Sequence, residues 1–482
     1  MKLYREKNPF VFTIFGASGD LARLKIFPAL YALAEQKRFP KHFYVFGYSR
    51  SEISDKQFRK LVRRSIQERH DGVVDKAILE DLLSRFFYFS GQYDLADSFQ
   101  SFAEVVLKKT GKKKITNIAY LAVPPLAFNS IVERLAGIRP QLGHDLRIII
   151  EKPFGQDEES ARSLYHHVSM FFSSDKTYLL DHYLGKDPVQ SLLVLRYSNS
   201  ILNTLLNGHL ISNIQITAFE DLSVANRISY FDQVGIIKDM IQSHLLQLMA
   251  LLTMDLPVDK DAHNIHREKY SILSALKLRG YERGIVVGQH ESYRNIKGVD
   301  RGSQTPTFAA VRLFIDRQAW YHVPIYIRTG KMLKKKHTYV VIEFEKLPFQ
   351  KKDPEVETNK LILELQPDAR IHLKLYTKHG GIKSELHDLT TSESIACYGD
   401  DCLPEHSRLF VDVFREDHSN FLSFEEIIAT WRFTDKILNF IKKRKIKPVK
   451  YEDYSDGPEE QSILPANDKL KWNDVSLTKD DE

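Results

Sequence analysis

The sequence predicts a protein that joins an α/β half to an α+β half. Its N-terminal part reads as a Rossmann-like, doubly wound parallel sheet, and its C-terminal part as a large, mainly antiparallel sheet covered by helices. Three observations carry this. Over about the first 180 residues, short and continuously apolar runs alternate with helix-period segments, as strands buried on both faces do. A turn with the spacing G-x-x-G-x-x-A separates the first run from the first helical segment. Later runs show partial period-two alternation, the pattern of strands with one covered face.

Taken in order, FVFTIF at 10–15 is β-branched and aromatic, and Gly16 ends it. LARLKIFPALYALAEQK follows with helical spacing, and Pro28 is expected to kink or restart that helix. HFYVFGYSR (42–50), FFYFSG (86–91), ITNIAYLAVPP (115–125) and LRIIIEKPFG (146–155) supply further strands with helix-like segments between them. Residues 1–180 are therefore expected to form a dinucleotide-binding domain, and 181–482 a substrate-binding and oligomerisation domain. In the second domain come ISNIQITAFEDL (211–222), a long helix from Ile236 to Leu252 and a helix-prone region at 268–278. FAAVRLFID, YVVIEFEKL, KLILELQP and ARIHLKLYTK then read as sheet, and 424–442 as helix. The polar, lysine-rich tail from about residue 443 is expected to be loosely held.

The formal charge of +6 over 482 residues is modest; it fits an anionic ligand without requiring one. The basic clusters KKTGKKK (108–114) and KKRKIK (442–447) contain no aromatic residues, so they read as solvated faces and no nucleic-acid partner is expected. LLQLMALLTM is too short to cross a bilayer and no secretory h-region is present, which makes the cytoplasm the expected compartment and excludes a membrane partner. Cys397 and Cys402 form neither a metal tetrad nor a disulfide framework, and are expected to be reduced and incidental; no metal site is expected.

Chemistry concentrates in a few segments. In the loop Gly16-Ala17-Ser18-Gly19-Asp20-Leu21, Gly16 allows a tight turn, Gly19 lets a phosphate approach, and the first helical N–H groups face it. At the end of the second strand stands Arg50, with Glu52 the nearest acid. An arginine there suits a 2′-phosphate, so NADP is favoured over NAD, whose use stays open. Lys152 in EKPFG leaves the carboxyl end of a strand, where open sheets bind ligands. DHYLGK (181–186) also follows a strand-like run. Two histidines compete as general base: His182 there and His244 in DMIQSHLLQ, with Asp181 available as orienter and Asp239 near the ligand. The residues alone do not choose between them. Lys331 and Lys336 are placed to meet an anionic group, with Lys334 and Lys335 in more solvated directions.

Together these segments resemble the glucose-6-phosphate dehydrogenase family. The likeness rests on FGASGDLA (15–22) with Lys25 and Pro28, GYSR (47–50), YLAVPP (120–125), EKPFG (151–155), and DHYLGK with Val189 and Gln190. It continues through YFDQVGIIKDMIQSHLLQLMALLTM (230–254), VPIYIRTGKML (323–333), SRLFVDVF (407–414) and ATW (429–431). The set, in this order over roughly residues 10–440, is specific where each member alone is weak. The resemblance implies oxidation of glucose 6-phosphate at C1 to 6-phosphogluconolactone with hydride transfer to NADP, the opening step of the oxidative pentose phosphate pathway. It implies His244 as base and Asp181 as its carboxylate partner. His182, Tyr183 and Lys186 would bind phosphate, Lys152 the sugar and cofactor, and Glu220 and Asp239 the sugar hydroxyls. Lys331 and Lys336 would complete the substrate site, and the assembly would be a homodimer or homotetramer.

The chain departs from the family pattern at Ile228 and Ser229, where two glycines are usual, and at Lys238, where an arginine is usual. TPTF (305–308) lacks an expected acid, and WYHVPI replaces a tryptophan-glycine pair. These departures keep two other readings in view: a dehydrogenase of another hexose phosphate or free glucose, and a catalytically silent NADP-binding regulator.

Overall fold

The computed structural model describes residues 4–70, 72–111, 115–143, 145–278, 284–348, 350–352, 356–378, 386–397 and 402–475. The chain divides into two compact units. The first comprises Met1–Lys186, Asp261–His266 and Cys397–Ile427, and the second Asp187–Lys260, Arg267–Ala396 and Ile428–Glu482.

In the first unit, strands β1 (Phe10–Phe15), β2 (Phe43–Ser49), β3 (Phe86–Ser90), β4 (Thr116–Leu121), β5 (Leu146–Glu151) and β6 (Thr177–Leu180) form one parallel sheet in the order β3-β2-β1-β4-β5-β6. The order reverses between β1 and β4, which opens a crevice beyond their carboxyl ends. Helices α1 (Phe27–Glu35), α2 (Asp55–Arg69), α3 (Lys76–Ser84), α4 (Ala96–Thr110), α5 (Phe128–Leu142) and α6 (Glu158–Phe171) connect the strands. Pro28 lies in the first turn of α1, just after a five-residue π-helical turn at Ala22–Ile26, where its missing N–H costs little. Ser54 and Gln57 start α2 with a capping box: the Gln57 N–H donates to Ser54 Oγ (3.3 Å) and the Ser54 N–H to Gln57 Oε1 (2.8 Å). Every residue of β1 is buried, as its unbroken apolar run requires.

A helix from far along the sequence, α12 in chain order (Glu405–Arg415), also belongs to this unit. Its Phe410 ring lies 5.1 Å from that of Phe12, and the Phe414 ring lies 4.8 Å from that of Phe10. Burying each such ring stabilises the sheet by roughly 1.5–3 kcal/mol.

The second unit is built on a ten-stranded sheet: β7 (Ile211–Phe219), β8 (Leu276–Lys277), β9 (Ile285–His290), β10 (Phe308–Ile315), β11 (Ile325–Gly330), β12 (His337–Phe344), β13 (Lys360–Gln366), β14 (Arg370–Lys378), β15 (Leu386–Ser394) and β16 (Val449–Tyr451). The order is β15-β14-β13-β12-β7-β11-β10-β9-β16, with β8 beside β10. Only the β7–β11 and β9–β16 pairs are parallel among the described strands, so the sheet is mainly antiparallel, as expected. The chain's other helices are α7 (Asp187–Ser198), α8 (Ser200–Leu205), α9 (Ile228–Ile236), α10 (Leu246–Thr253), α11 (Ala262–Ser274), α13 (Phe424–Arg444) and α14 (Ile463–Ala466). The expected long helix at 236–252 is not uniform, because Ile237–Leu245 is π-helical and only then does α10 begin.

Two expectations are corrected. The tail beyond 443 is packed as far as it is described: β16 extends the sheet, and Trp472 stands edge-on to Tyr326 with ring centroids 5.8 Å apart. The Trp472 indole N–H also donates to the Gln461 carbonyl at 2.9 Å. Sparse apolar residues such as Tyr451 and Leu464, both buried, hold it despite its polar composition. Cys397 and Cys402 are joined in a disulfide, their Cα atoms 5.6 Å apart, within the range that such a bond spans. Of the basic clusters, 442–445 is exposed, whereas Lys112, Lys113 and Lys114 lie outside the described residues.

Candidate active site

In the first unit the glycine loop follows β1 directly. Gly16 has φ +85°, and a Cβ there would stand 2.2 Å from the Ala122 carbonyl oxygen, just past β4. No other residue type fits. The Gly16 N–H donates to the Tyr48 carbonyl (2.8 Å), the Ser18 N–H to Ser49 Oγ (3.1 Å) and the Gly19 N–H to the Gly16 carbonyl (2.9 Å). The helix opens at Asp20 and Leu21, leaving its first N–H groups toward the switch point of the sheet. Arg50, exposed at the end of β2, has its guanidinium 5.7 Å from the centre of the Tyr93 ring. Burial pushes the Tyr93 phenol up, so that ring stays neutral beside the cation. A nucleotide's phosphates fit this loop, and Arg50 offers a fork of donors to one more.

Glu151 ends β5 and Lys152 follows, half-buried, with a cis bond to Pro153. At the end of the adjacent strand β6, Asp181 is 1% exposed, and its Oδ1 accepts the Tyr183 N–H at 3.0 Å, starting the short helical turn His182–Gly185. Tyr183 is buried, and the Lys186 ammonium sits 4.0 Å from its ring centre, while His182 and Lys186 are half-buried. The fold thus brings Gly16–Leu21, Lys152 and Asp181–Lys186 to the carboxyl edge of one sheet.

In the second unit β7 and β11 run parallel with Phe219 opposite Gly330. Their next residues, Glu220 and Lys331, therefore leave the sheet side by side, and their side chains are hydrogen-bonded. Lys331 is 1% exposed and also lies 3.2 Å from Asp239, itself 3% exposed. The Arg227 guanidinium donates to Asp239 at 3.0 Å; this arginine carried no motif and was not anticipated. Lys336, five positions on, is exposed, in contrast to Lys331.

Asp239 and His244 share the π-helical segment. In an α-helix residues five apart point about 140° from each other, whereas the wider i→i+5 turn stacks them on one face. Gln242, Ser243 and His244 are all buried, Ser243 Oγ donates to the Asp239 carbonyl (3.1 Å), and Gln242 donates to Thr430 (3.1 Å). Ahead of this segment, Asp232 accepts hydrogen bonds from Tyr293 (2.7 Å) and Ser303 (2.8 Å). Burial, and then the Asp239 charge, pushes the Tyr230 phenol up to about 12, so it is a neutral donor at physiological pH.

The model for the NAD binding domain of glucose-6-phosphate dehydrogenase matches residues 13–191, and that for its C-terminal domain matches 193–473. The chain belongs to the glucose-6-phosphate dehydrogenase family. It is 34% identical to the chloroplastic glucose-6-phosphate 1-dehydrogenase 3 of Arabidopsis thaliana, over 96% of this chain and 80% of that one. It is 35% identical to the cytoplasmic glucose-6-phosphate 1-dehydrogenase 5 of the same plant, over 95% and 92%. A solved glucose-6-phosphate dehydrogenase in complex with its substrate glucose 6-phosphate superposes with a TM-score of 0.90 at 29% identity, covering 98% of this chain and all of that one.

Against the family pattern, the departures have local structural sense. Ile228 and Ser229 start α9 as ordinary helical residues. The Lys238 ammonium lies 5.6 Å from the Trp431 ring centre. In the acid-free TPTF segment, the Thr305 hydroxyl donates to the Asp232 carbonyl at 2.7 Å, tying the segment to α9.

Proposed function

We propose that this chain oxidises D-glucose 6-phosphate at C1 to 6-phospho-D-glucono-1,5-lactone with NADP as acceptor. Its membership of the family over nearly the whole length supports the reaction. The observation that supports the mechanism best is the π-helical segment that carries both Asp239 and His244, with Asp239 ion-paired to Lys331 and Lys331 hydrogen-bonded to Glu220.

When bound, the nicotinamide supplies the hydride acceptor. His244 takes the C1 hydroxyl proton as general base. Asp181 orients that imidazole and offsets the charge it gains. His182, Tyr183 and Lys186 bind the phosphate, and Lys152 holds the sugar at the reacting end. Glu220 and Asp239, ion-paired to Lys331 and, for Asp239, also to Arg227, accept hydrogen bonds from the sugar hydroxyls. Lys336, exposed, reaches the substrate's anionic end. Residues Gly16–Leu21 cradle the cofactor's phosphates and Arg50 selects the 2′-phosphate. The same reading makes the protein a cytoplasmic homodimer or homotetramer, for which light scattering is the check.

The deciding assay follows nicotinamide reduction with glucose 6-phosphate. Wild type should turn over, and His244→Asn should lose about 100- to 10,000-fold in kcat. Equal turnover by both removes His244 from the chemistry, and an inert wild type favours a silent binding protein. Arg50→Ala should weaken NADP far more than NAD; an equal effect on both removes the 2′-phosphate role.

A further inference from the structure

Lys152 emerges from β5 immediately after Glu151, a carboxylate that the mechanism above does not use. Glu151 is buried at the sheet's carboxyl edge, where an unpaired charge would be costly. It is not unpaired. The Tyr120 hydroxyl, from the neighbouring strand β4, donates to Glu151 Oε1, and His406 Nε2 lies 3.4 Å from the same oxygen. Tyr120 and His406 are themselves buried, and burial together with the Glu151 charge raises the Tyr120 phenol well above its ordinary range, which keeps it a donor.

His406 stands on α12, which touches more than this carboxylate. The Phe410 ring of α12 meets Tyr120 edge-on at 5.8 Å, and the Ser407 hydroxyl donates to the Ala29 carbonyl of α1 at 2.9 Å. At Gly185 in the DHYLGK turn, an added Cβ would stand 2.9 Å from Leu409 and 3.1 Å from the Glu405 carbonyl. One helix, more than 200 residues downstream, thus bears on both turns that carry the assigned substrate ligands of the first unit.

We propose that Glu151, gripped by Tyr120 and His406, is a positioning residue that sets the direction in which Lys152 leaves the sheet, with α12 as its brace. This inference rests on the reading of Lys152 as a sugar-binding residue. A buried carboxylate with two partners on its Oε1 is restricted in orientation, and its backbone leads directly into Lys152. Misplacing a substrate-holding group by about 1 Å costs on the order of 100-fold in rate.

The test uses Glu151→Gln, which keeps the shape and removes the charge, with Tyr120→Phe and His406→Gln as milder probes should the first not fold. Two readouts are taken on the full-length protein: kcat/KM for glucose 6-phosphate, and the pH profile of Lys152 acylation by acetic anhydride, read by peptide mass spectrometry. The expected result is a fall of about 10- to 100-fold in kcat/KM and a displaced Lys152 acylation profile. In a Lys152→Met background, Glu151→Gln should have almost no further effect, because it acts through that lysine. Unchanged acylation in all three variants, or losses that multiply with Lys152→Met, overturn the proposal. If Lys152→Met alone has wild-type kinetics, the sugar-binding role of Lys152 falls and the inference falls with it. Impaired Lys152→Met beside unaffected Glu151→Gln sinks the inference alone.

Discussion

Among the residues, Lys331 shows best what burial decides. KMLKKK offers four lysines in six positions, and nothing in their spacing ranks them, yet Lys331 is 1% exposed and lies between Glu220 and Asp239 whereas Lys334 and Lys336 are exposed. Removing one partner of such a buried set leaves the others uncompensated. Lys331→Met should therefore cost roughly 3–5 kcal/mol of stability, measured by urea unfolding, and abolish turnover with glucose 6-phosphate. A variant as stable and active as wild type would mean that the ammonium neither balances the carboxylates nor serves substrate. Gly16 makes the complementary point. Its positive φ and the Ala122 oxygen 2.2 Å from a would-be Cβ predict that Gly16→Ala loses cofactor affinity. Nicotinamide-fluorescence titration with unaltered Kd would refute the cradle. The glycine loop was legible from sequence because a turn motif is local; Arg227, which meets Asp239 from 12 positions upstream, had no local signature.

At the scale of elements, the π-helical segment and α12 were the least legible. Apolar periodicity announced a helix near 236–252, but hydrogen-bond spacing within it does not show in composition, and that spacing is what aligns Asp239 with His244. α12 has a strong apolar stripe, Leu409, Phe410 and Val413 all buried, which says that it packs somewhere and not that it packs beneath the parallel sheet. Its Asp412 accepts a hydrogen bond from Asn420 at 2.9 Å, while burial, reinforced by Asp417, pushes its carboxyl up to about 7. With the unfolded value near 4, a raised folded value means that its stabilising share is complete below about pH 4 and is lost as pH rises through about 7. Asp412→Asn should therefore raise the melting temperature at pH 8 and change it little at pH 4. The same gain at both values would show that Asp412 is not the titrating group.

For the whole molecule, the opposite sign arises at Asp145. Burial alone would raise its carboxyl, but Arg147 and Lys176, at 2.9 and 3.0 Å, outweigh that and hold it down at about 2. Arg147 also donates to the Val413 carbonyl at 2.6 Å, so the ion pair anchors the end of α12 to β5. A depressed folded value contributes stability above about pH 4 that disappears as pH falls through about 2. Denaturant midpoints measured from pH 5 to pH 2 should fall less steeply in Asp145→Asn than in wild type; identical slopes would remove Asp145 from acid sensitivity. The Cys397–Cys402 bond makes a simple chemical prediction: native protein prepared without reductant should show no titratable thiol, and reduction should release both. Two free thiols in the native state would restore the reduced reading.

What the sequence determined by itself was whatever depends on near neighbours. The six apolar runs specify a parallel sheet, the glycine turn specifies a phosphate-binding loop, and the ordered set of motifs specifies the family. What only the tertiary structure decided was which charges meet. Glu220 and Lys331 are 111 positions apart and Glu151 and His406 are 255 apart, and they are neighbours because strands pair in register and a late helix returns to an early sheet. The physical reason is that periodicity encodes which face of an element is apolar, whereas the pairing of polar groups is fixed by the desolvation they undergo once those faces have closed.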